Sequence, residues 1–151
     1  HASQWRLSAG STGSTEYDPL VNWEAADTDG AGSIGTAMTY SSGVFTFPTT
    51  GIWLVEFIAS IYTNGTALNE FAIYIETTVD NSTYTSAARG RNNISGTLTP
   101  SNTTASFMFD VTDVSNDKVQ FVIEYLATNT IVNASTSRSQ TLANFIRLGD
   151  T

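Results

Sequence analysis

Apolar and polar positions alternate with a period of two along most of the chain, and no stretch sustains the spacing of an amphipathic helix. Trp5 to Ser8 reads as a short first strand, followed by a Gly/Ser-rich loop from Ala9 to Thr15. Leu20 to Ala25 is a second candidate, closed by the turn Asp27-Thr28-Asp29-Gly30-Ala31-Gly32. Ala37 to Tyr40 and Val44 to Phe47 flank Ser41-Ser42-Gly43 as a hairpin. Ile52 to Thr63 forms a long strand that is apolar at almost every position and ends at Asn64-Gly65. A strand that is hydrophobic on both faces has to be covered on both faces. With no helix to lie over it, the most economical second cover is another copy of the same chain.

The pattern continues to the C-terminus. Glu70 to Val79 places Phe71, Ile73 and Ile75 on one side and Glu70, Ala72, Tyr74 and Glu76 on the other. Thr85 to Gly90 is an ambiguous strand. Thr104 to Thr112 aligns Phe107, Phe109 and Val111, and Val119 to Ala127 aligns Val119, Phe121, Ile123 and Tyr125. Asn129 to Ser139 is a polar loop, and Thr141 to Leu148 closes the chain. About eight to ten strands at this spacing indicate an all-β sandwich. Residues 1–151 form one domain, with an N-terminal strand and flexible loop over 1–16.

Composition narrows the function classes. Charged residues are only 13% of the chain, and Thr, Ser and Asn take their place, which favours strands and turns over helices. The net charge of −8 and the scattering of Arg6, Arg89, Arg91, Arg138 and Arg147 argue against nucleic acid as a partner. The chain has no cysteine, so disulfides and thiolate metal sites are excluded. Its one histidine is His1, which removes Ser-His-Asp catalysis and makes zinc a poor expectation. No apolar run is long enough to span a membrane, and no signal-peptide pattern is present. Glu56, Glu70, Glu76, Asp110 and Glu124 are strand-borne carboxylates; a glycosidase would need two of them to converge, and solvated strand faces are the default expectation. Asp27 and Asp29, with Glu24 nearby, are weak calcium candidates, as are Asp110, Asp113 and Asp117; no other cofactor is expected. Asn64, Asn81, Asn93, Asn102 and Asn133 open Asn-x-Ser/Thr sequons.

Three segments together resemble the C1q/tumour-necrosis-factor-like jelly roll. Ser42 to Val55 is similar to the family's Gly-x-Phe followed by Pro-x-x-Gly-x-aromatic at the start of a central strand. Phe107 to Ile123, with Ser115-Asn116-Asp117-Lys118-Val119 at the turn, resembles a strand pair joined by a Gly-Asp-x-Val-like turn, Asn116 standing in place of Gly. Leu142 to Leu148 resembles the last strand, with Asn144 where Gly is usual. The resemblance covers roughly residues 37 to 148. It implies a ten-strand jelly roll assembled as a homotrimer around a threefold axis. It also implies that Trp53, Val55, Phe57 and Ala59 point between the sheets, while Ile52, Leu54, Glu56, Ile58 and Ile146 face neighbouring subunits. Glu56 then needs either a partner, for which Arg6 and Arg147 are candidates, or a wet place in the interface. Function follows as a non-enzymatic binding module. The first expectation is a virion protein on the particle surface, a capsid decoration (cement) protein or fibre head. The alternatives are an extracellular, secreted C1q-like head that binds a receptor or glycan, and a carbohydrate-binding module presenting aromatics from Trp5, Tyr17, Trp23, Tyr40, Tyr62 and Tyr84.

Overall fold

The computed structural model describes all residues, His1–Thr151, as eleven strands and no helix. These are β1 (Ala2–Leu7), β2 (Trp23–Ala25), β3 (Thr39–Ser41), β4 (Val44–Thr46), β5 (Gly51–Thr63), β6 (Leu68–Thr78), β7 (Thr85–Ile94), β8 (Ser101–Val111), β9 (Lys118–Glu124), β10 (Thr130–Val132) and β11 (Leu142–Gly149). All pairings are antiparallel and make two sheets. In the first, β5 is flanked by β8 on one edge and by β11 on the other, with β10 continuing the β11 edge at the far end; β1 and β2 follow β11. The second runs β3-β4-β9-β6-β7.

The long apolar stretch becomes the spine of the first sheet. Its parity is strict: Trp53, Val55, Phe57, Ala59 and Ile61 are buried, and the residues between them are half-buried. Gly51 starts it with φ of +132°, a conformation open to glycine, and a Cβ there would sit 2.4 Å from the Gly149 carbonyl oxygen. The Pro-x-x-Gly motif therefore lets β5 begin hard against the end of β11.

Between the sheets an aromatic cluster fills the core. The rings of Phe57 and Phe121 lie 4.7 Å apart, Phe45 and Phe145 5.0 Å, and Trp23 and Phe121 5.3 Å. Each such ring withdrawn from water stabilises the fold by roughly 1.5–3 kcal/mol. Trp23 gives its indole N–H to the Leu20 carbonyl at 2.9 Å, so its one polar group is satisfied inside the core.

Several expected boundaries move. The ambiguous region around Thr85 is a full ten-residue strand, β7. The supposed polar loop Asn129–Ser139 contains β10, whose Thr130 and Val132 are fully buried. Tyr125 does not join Val119, Phe121 and Ile123: β9 ends at Glu124, and Tyr125 turns outward with φ of +62° and 55% exposure. Met108, between two inward Phe residues, is 65% exposed, as the period of two requires.

Candidate functional site

The outward face of the first sheet is built by register. Opposite Leu54 lie Ile146 on β11 and Met108 on β8; opposite Ile58 lie Leu142 and Thr104; Ile52 faces Asp110. Ile52, Leu54, Ile58 and Ile146, expected to face neighbouring subunits, thus share one surface with Met108, Leu142 and Tyr62. Single-chain folding leaves it open: Leu148 is 55% and Ile146 38% exposed. Partly open apolar positions grouped on one sheet face make it the candidate interaction surface.

A polar row crosses it. Glu56 pairs with Asn144, and Asn144 with Gln4 on the next strand. Asn144 donates to a Glu56 carboxylate oxygen at 3.2 Å, Gln4 donates to the Asn144 amide oxygen at 2.8 Å, and the Ser139 hydroxyl donates to Gln4 at 3.1 Å. Glu56 therefore takes its partner from Asn144, and neither Arg6 nor Arg147 reaches it. Arg147 pairs with Asp150 and donates to the Thr50 carbonyl at 2.9 Å. Arg6 is 2% exposed, and its guanidinium binds Glu24 at 2.7 Å, Asp27 at 2.6 Å and the Thr28 hydroxyl at 2.8 Å. These carboxylates, Glu24 first, hold the guanidinium pKa above its ordinary value.

Most of the acidic candidates hold structural contacts. Asp27 belongs to the Arg6 clamp, and Asp29 occupies a turn position with φ of +56°. Asp117 is buried and accepts the backbone N–H groups of Thr112 at 2.7 Å and Asp113 at 2.9 Å, fixing the β8–β9 turn. Asp113 caps Ser115 and Asn116, and Asp110 lies apart on the outward face. Asp80 accepts from Thr83, Thr78 and Ser82, which hold its carboxyl well below the usual range. Neither acidic set gathers three carboxylates in metal-holding geometry.

The outward face of the second sheet is built differently. Ala72, Tyr74 and Val122 form a small buried cluster on it. Arg89 lies over the Tyr74 ring at 5.5 Å, and Gln120 bridges Asp18 at 3.0 Å and Glu76 at 2.8 Å. Burial pushes the Tyr74 hydroxyl pKa up, helped by Glu124. Burial likewise raises Glu76, reinforced by Asp18, Glu124 and Glu16 and opposed by the Gln120 donor. Of the aromatics proposed as a sugar platform, Trp23 is core, and Trp5, Tyr17 and Tyr40 pack against the core from its edge. Among the sequons, Asn102 sits on the first sheet's outward face opposite Ser60, and Asn133 donates to the Ser60 hydroxyl at 3.1 Å.

No protein-family model and no curated protein matches the sequence. Solved structures do match in fold. The crystal structure of murine APRIL at pH 5.0 superposes with a TM-score of 0.69 at 11% identity, covering 97% of this chain and 98% of that one. Murine APRIL at pH 8.5 gives 0.65 at 13% identity, with coverage of 97% and 98%. The structure of Eiger TNF from S. frugiperda gives 0.69 at 10% identity, covering 99% of this chain and 93% of that one. With two antiparallel sheets, no helix and near-complete overlap with these chains, the protein has the TNF-like jelly-roll fold.

Proposed function

We propose that this protein is a non-enzymatic homotrimeric binding module, assembled through the outward face of its first sheet and serving on a virion surface as a capsid decoration protein or fibre head. The observation that carries the assembly is that face: apolar at Ile52, Leu54, Ile58, Met108, Ile146 and Leu148, half-open in the single chain, and crossed by a hydrogen-bonded polar row. An apolar field with a fixed polar seam matches an interface that must select one register. A closed symmetric assembly buries the same patch on every copy, which a single hydrophobic face requires. The TNF-like fold supports the trimer over other closed states. A cysteine-free, acidic, Thr- and Asn-rich surface supports a particle-exposed role, where solubility rests on charge and stability on packing.

Light scattering on the purified chain at micromolar concentration should give three times the chain mass, and a stable monomer overturns the reading. For the virion role, adding the protein to expanded capsids should raise their thermal stability. Absence of particle binding removes that role and leaves the trimer standing.

A further inference from the structure

The chain carries six cationic side chains, and their placement is uneven. Arg6 is locked by Glu24 and Asp27, Arg147 by Asp150, and Lys118 is buried against the Val114 carbonyl. Arg138 stands alone in the loop before β11. Only on β7 do two cations meet. Arg89 and Arg91 share a face by the period of two, and both lean on one carboxylate, Glu70, at 3.8 and 3.0 Å. Two guanidinium groups thus gather at one end of a face whose other carboxylates, Glu124 and Glu76, lie farther along on β9 and β6.

Beside them is a shallow cleft of ≈ 300 Å³ lined by Asn69, Glu70, Arg91, Asn92 and Asn93. Every lining side chain is planar and polar. Asn92 is fixed, donating to the Asn102 carbonyl at 2.7 Å and accepting the Asn93 N–H at 2.8 Å. At Gly90 the backbone of β7 runs close against β8: a Cβ there would lie 2.5 Å from the Thr104 carbonyl oxygen. Arg91 uses Nε for Glu70, which leaves its two Nη groups without an intrachain partner, and its side chain is 54% exposed. The Asn69 and Asn93 amides make no hydrogen bond within the chain.

We propose that this cleft binds a carboxylate-bearing sugar, of the uronic or sialic class, at the exposed end of a glycan. The Arg91 fork meets a carboxylate in two parallel hydrogen bonds. The Asn69 and Asn93 amides, which both donate and accept, and the spare Glu70 oxygen suit neighbouring hydroxyls. The paired guanidinium groups of Arg89 and Arg91 beside the cleft favour an acidic sugar over a neutral one. No open aromatic wall offers stacking, since Arg89 already covers Tyr74, so a single site is weak. Here the inference rests on the trimer reading: with the first sheet turned to the axis, three clefts face outward, and avidity multiplies the binding.

The test is binding of the intact protein to immobilised sialylated, uronic-acid and neutral glycans, with a poly-glutamate peptide alongside. Selective retention on the carboxylated glycans is expected. Arg91→Ala should weaken it at least tenfold, and Arg91→Lys should recover little, because charge survives and the fork does not. Asn93→Asp, which adds a negative charge beside the fork, should weaken it too. A trimer that ignores acidic glycans overturns the site and leaves the assembly intact. Equal retention on poly-glutamate, or binding indifferent to all three substitutions, also overturns it. A monomer that still binds acidic glycans through Arg91 upholds the site and overturns the trimer.

Discussion

The two outward faces of the sandwich solve the same problem in opposite ways. On the second sheet the apolar residues Ala72, Tyr74 and Val122 are covered by the chain's own long polar side chains, Arg89 above all. On the first sheet Leu54, Ile58, Met108 and Ile146 share their face with Glu56, Gln4 and Arg6, but the heads of those side chains are tied to Asn144, Ser139, Glu24 and Asp27, and the apolar positions stay partly open. Net hydrophobicity is not what separates the two surfaces. The difference is whether flexible charged stems are available to lie over the apolar atoms. A face sealed from within has nothing to offer a second copy, whereas a face left open has area to bury.

The sharpest way to break this contrast is to place the same carboxylate on each face. Leu54→Asp should leave a single chain folded, because Leu54 is only partly buried in the single chain. In the proposed trimer it introduces one unpaired charge per subunit, so association should weaken by at least ~10³-fold and light scattering should report monomers. Val122→Asp should do the reverse. Val122 is 1% exposed within one chain, so the charge lands inside the fold and costs about 3 kcal/mol or more, visible as a lower denaturant midpoint. If Val122→Asp dissociated the assembly while Leu54→Asp unfolded the chain, the roles of the two faces would be exchanged.

A smaller effect isolates the self-made cover. Arg89→Ala uncovers the Tyr74 ring and removes a cation–π contact, a loss of about 0.5–1 kcal/mol in chemical denaturation with no change in oligomeric mass. Arg89→Met, which keeps a stem without the charge, should recover part of that loss. Full recovery would mean that the cover is purely apolar.

These faces differ in how far the sequence alone reveals them. The alternation at Phe71, Ile73 and Ile75 and the doubly apolar run at 52–58 are visible without coordinates, because pleat parity is a local property. Which half of that run looks inward is not local, since Val55 and Leu54 have the same chemistry. The resemblance to a jelly roll supplied that choice, and the burial of Trp53, Val55, Phe57 and Ala59 agrees with it. Partners separated by long loops were out of reach. Glu56 finds Asn144 through the β5–β11 register, and Arg6 finds Glu24 and Asp27 through β2, so charge alone pointed to the wrong pairs. The Arg89–Glu70–Arg91 group needed the β6–β7 register with its bulges, and β10 was too short to interrupt a polar loop visibly.

The mildest expected effect tests what sealing the second face costs. Glu76 is held there by the Gln120 amide, yet burial, then Asp18, Glu124 and Glu16, raise its pKa above the ordinary 4.5. A carboxyl whose folded value is raised holds its proton more tightly in the native state than in the unfolded chain. Its contribution to stability is therefore full below the ordinary value and is lost as pH rises through the raised one. Glu76→Gln keeps an acceptor for Gln120 and cannot ionise. The variant should match the parent in acid, below the ordinary value, and become more stable as pH climbs to neutrality, by less than about 1 kcal/mol because water still reaches the group. Asp80, whose carboxyl is lowered, acts in the opposite sense and loses its contribution as pH falls, but it is common to both proteins and cancels in their difference. Paired denaturant titrations across that range read the difference directly. A variant less stable than its parent at neutral pH would show that the Gln120–Glu76 hydrogen bond outweighs the burial of charge, and that the second face is sealed without penalty.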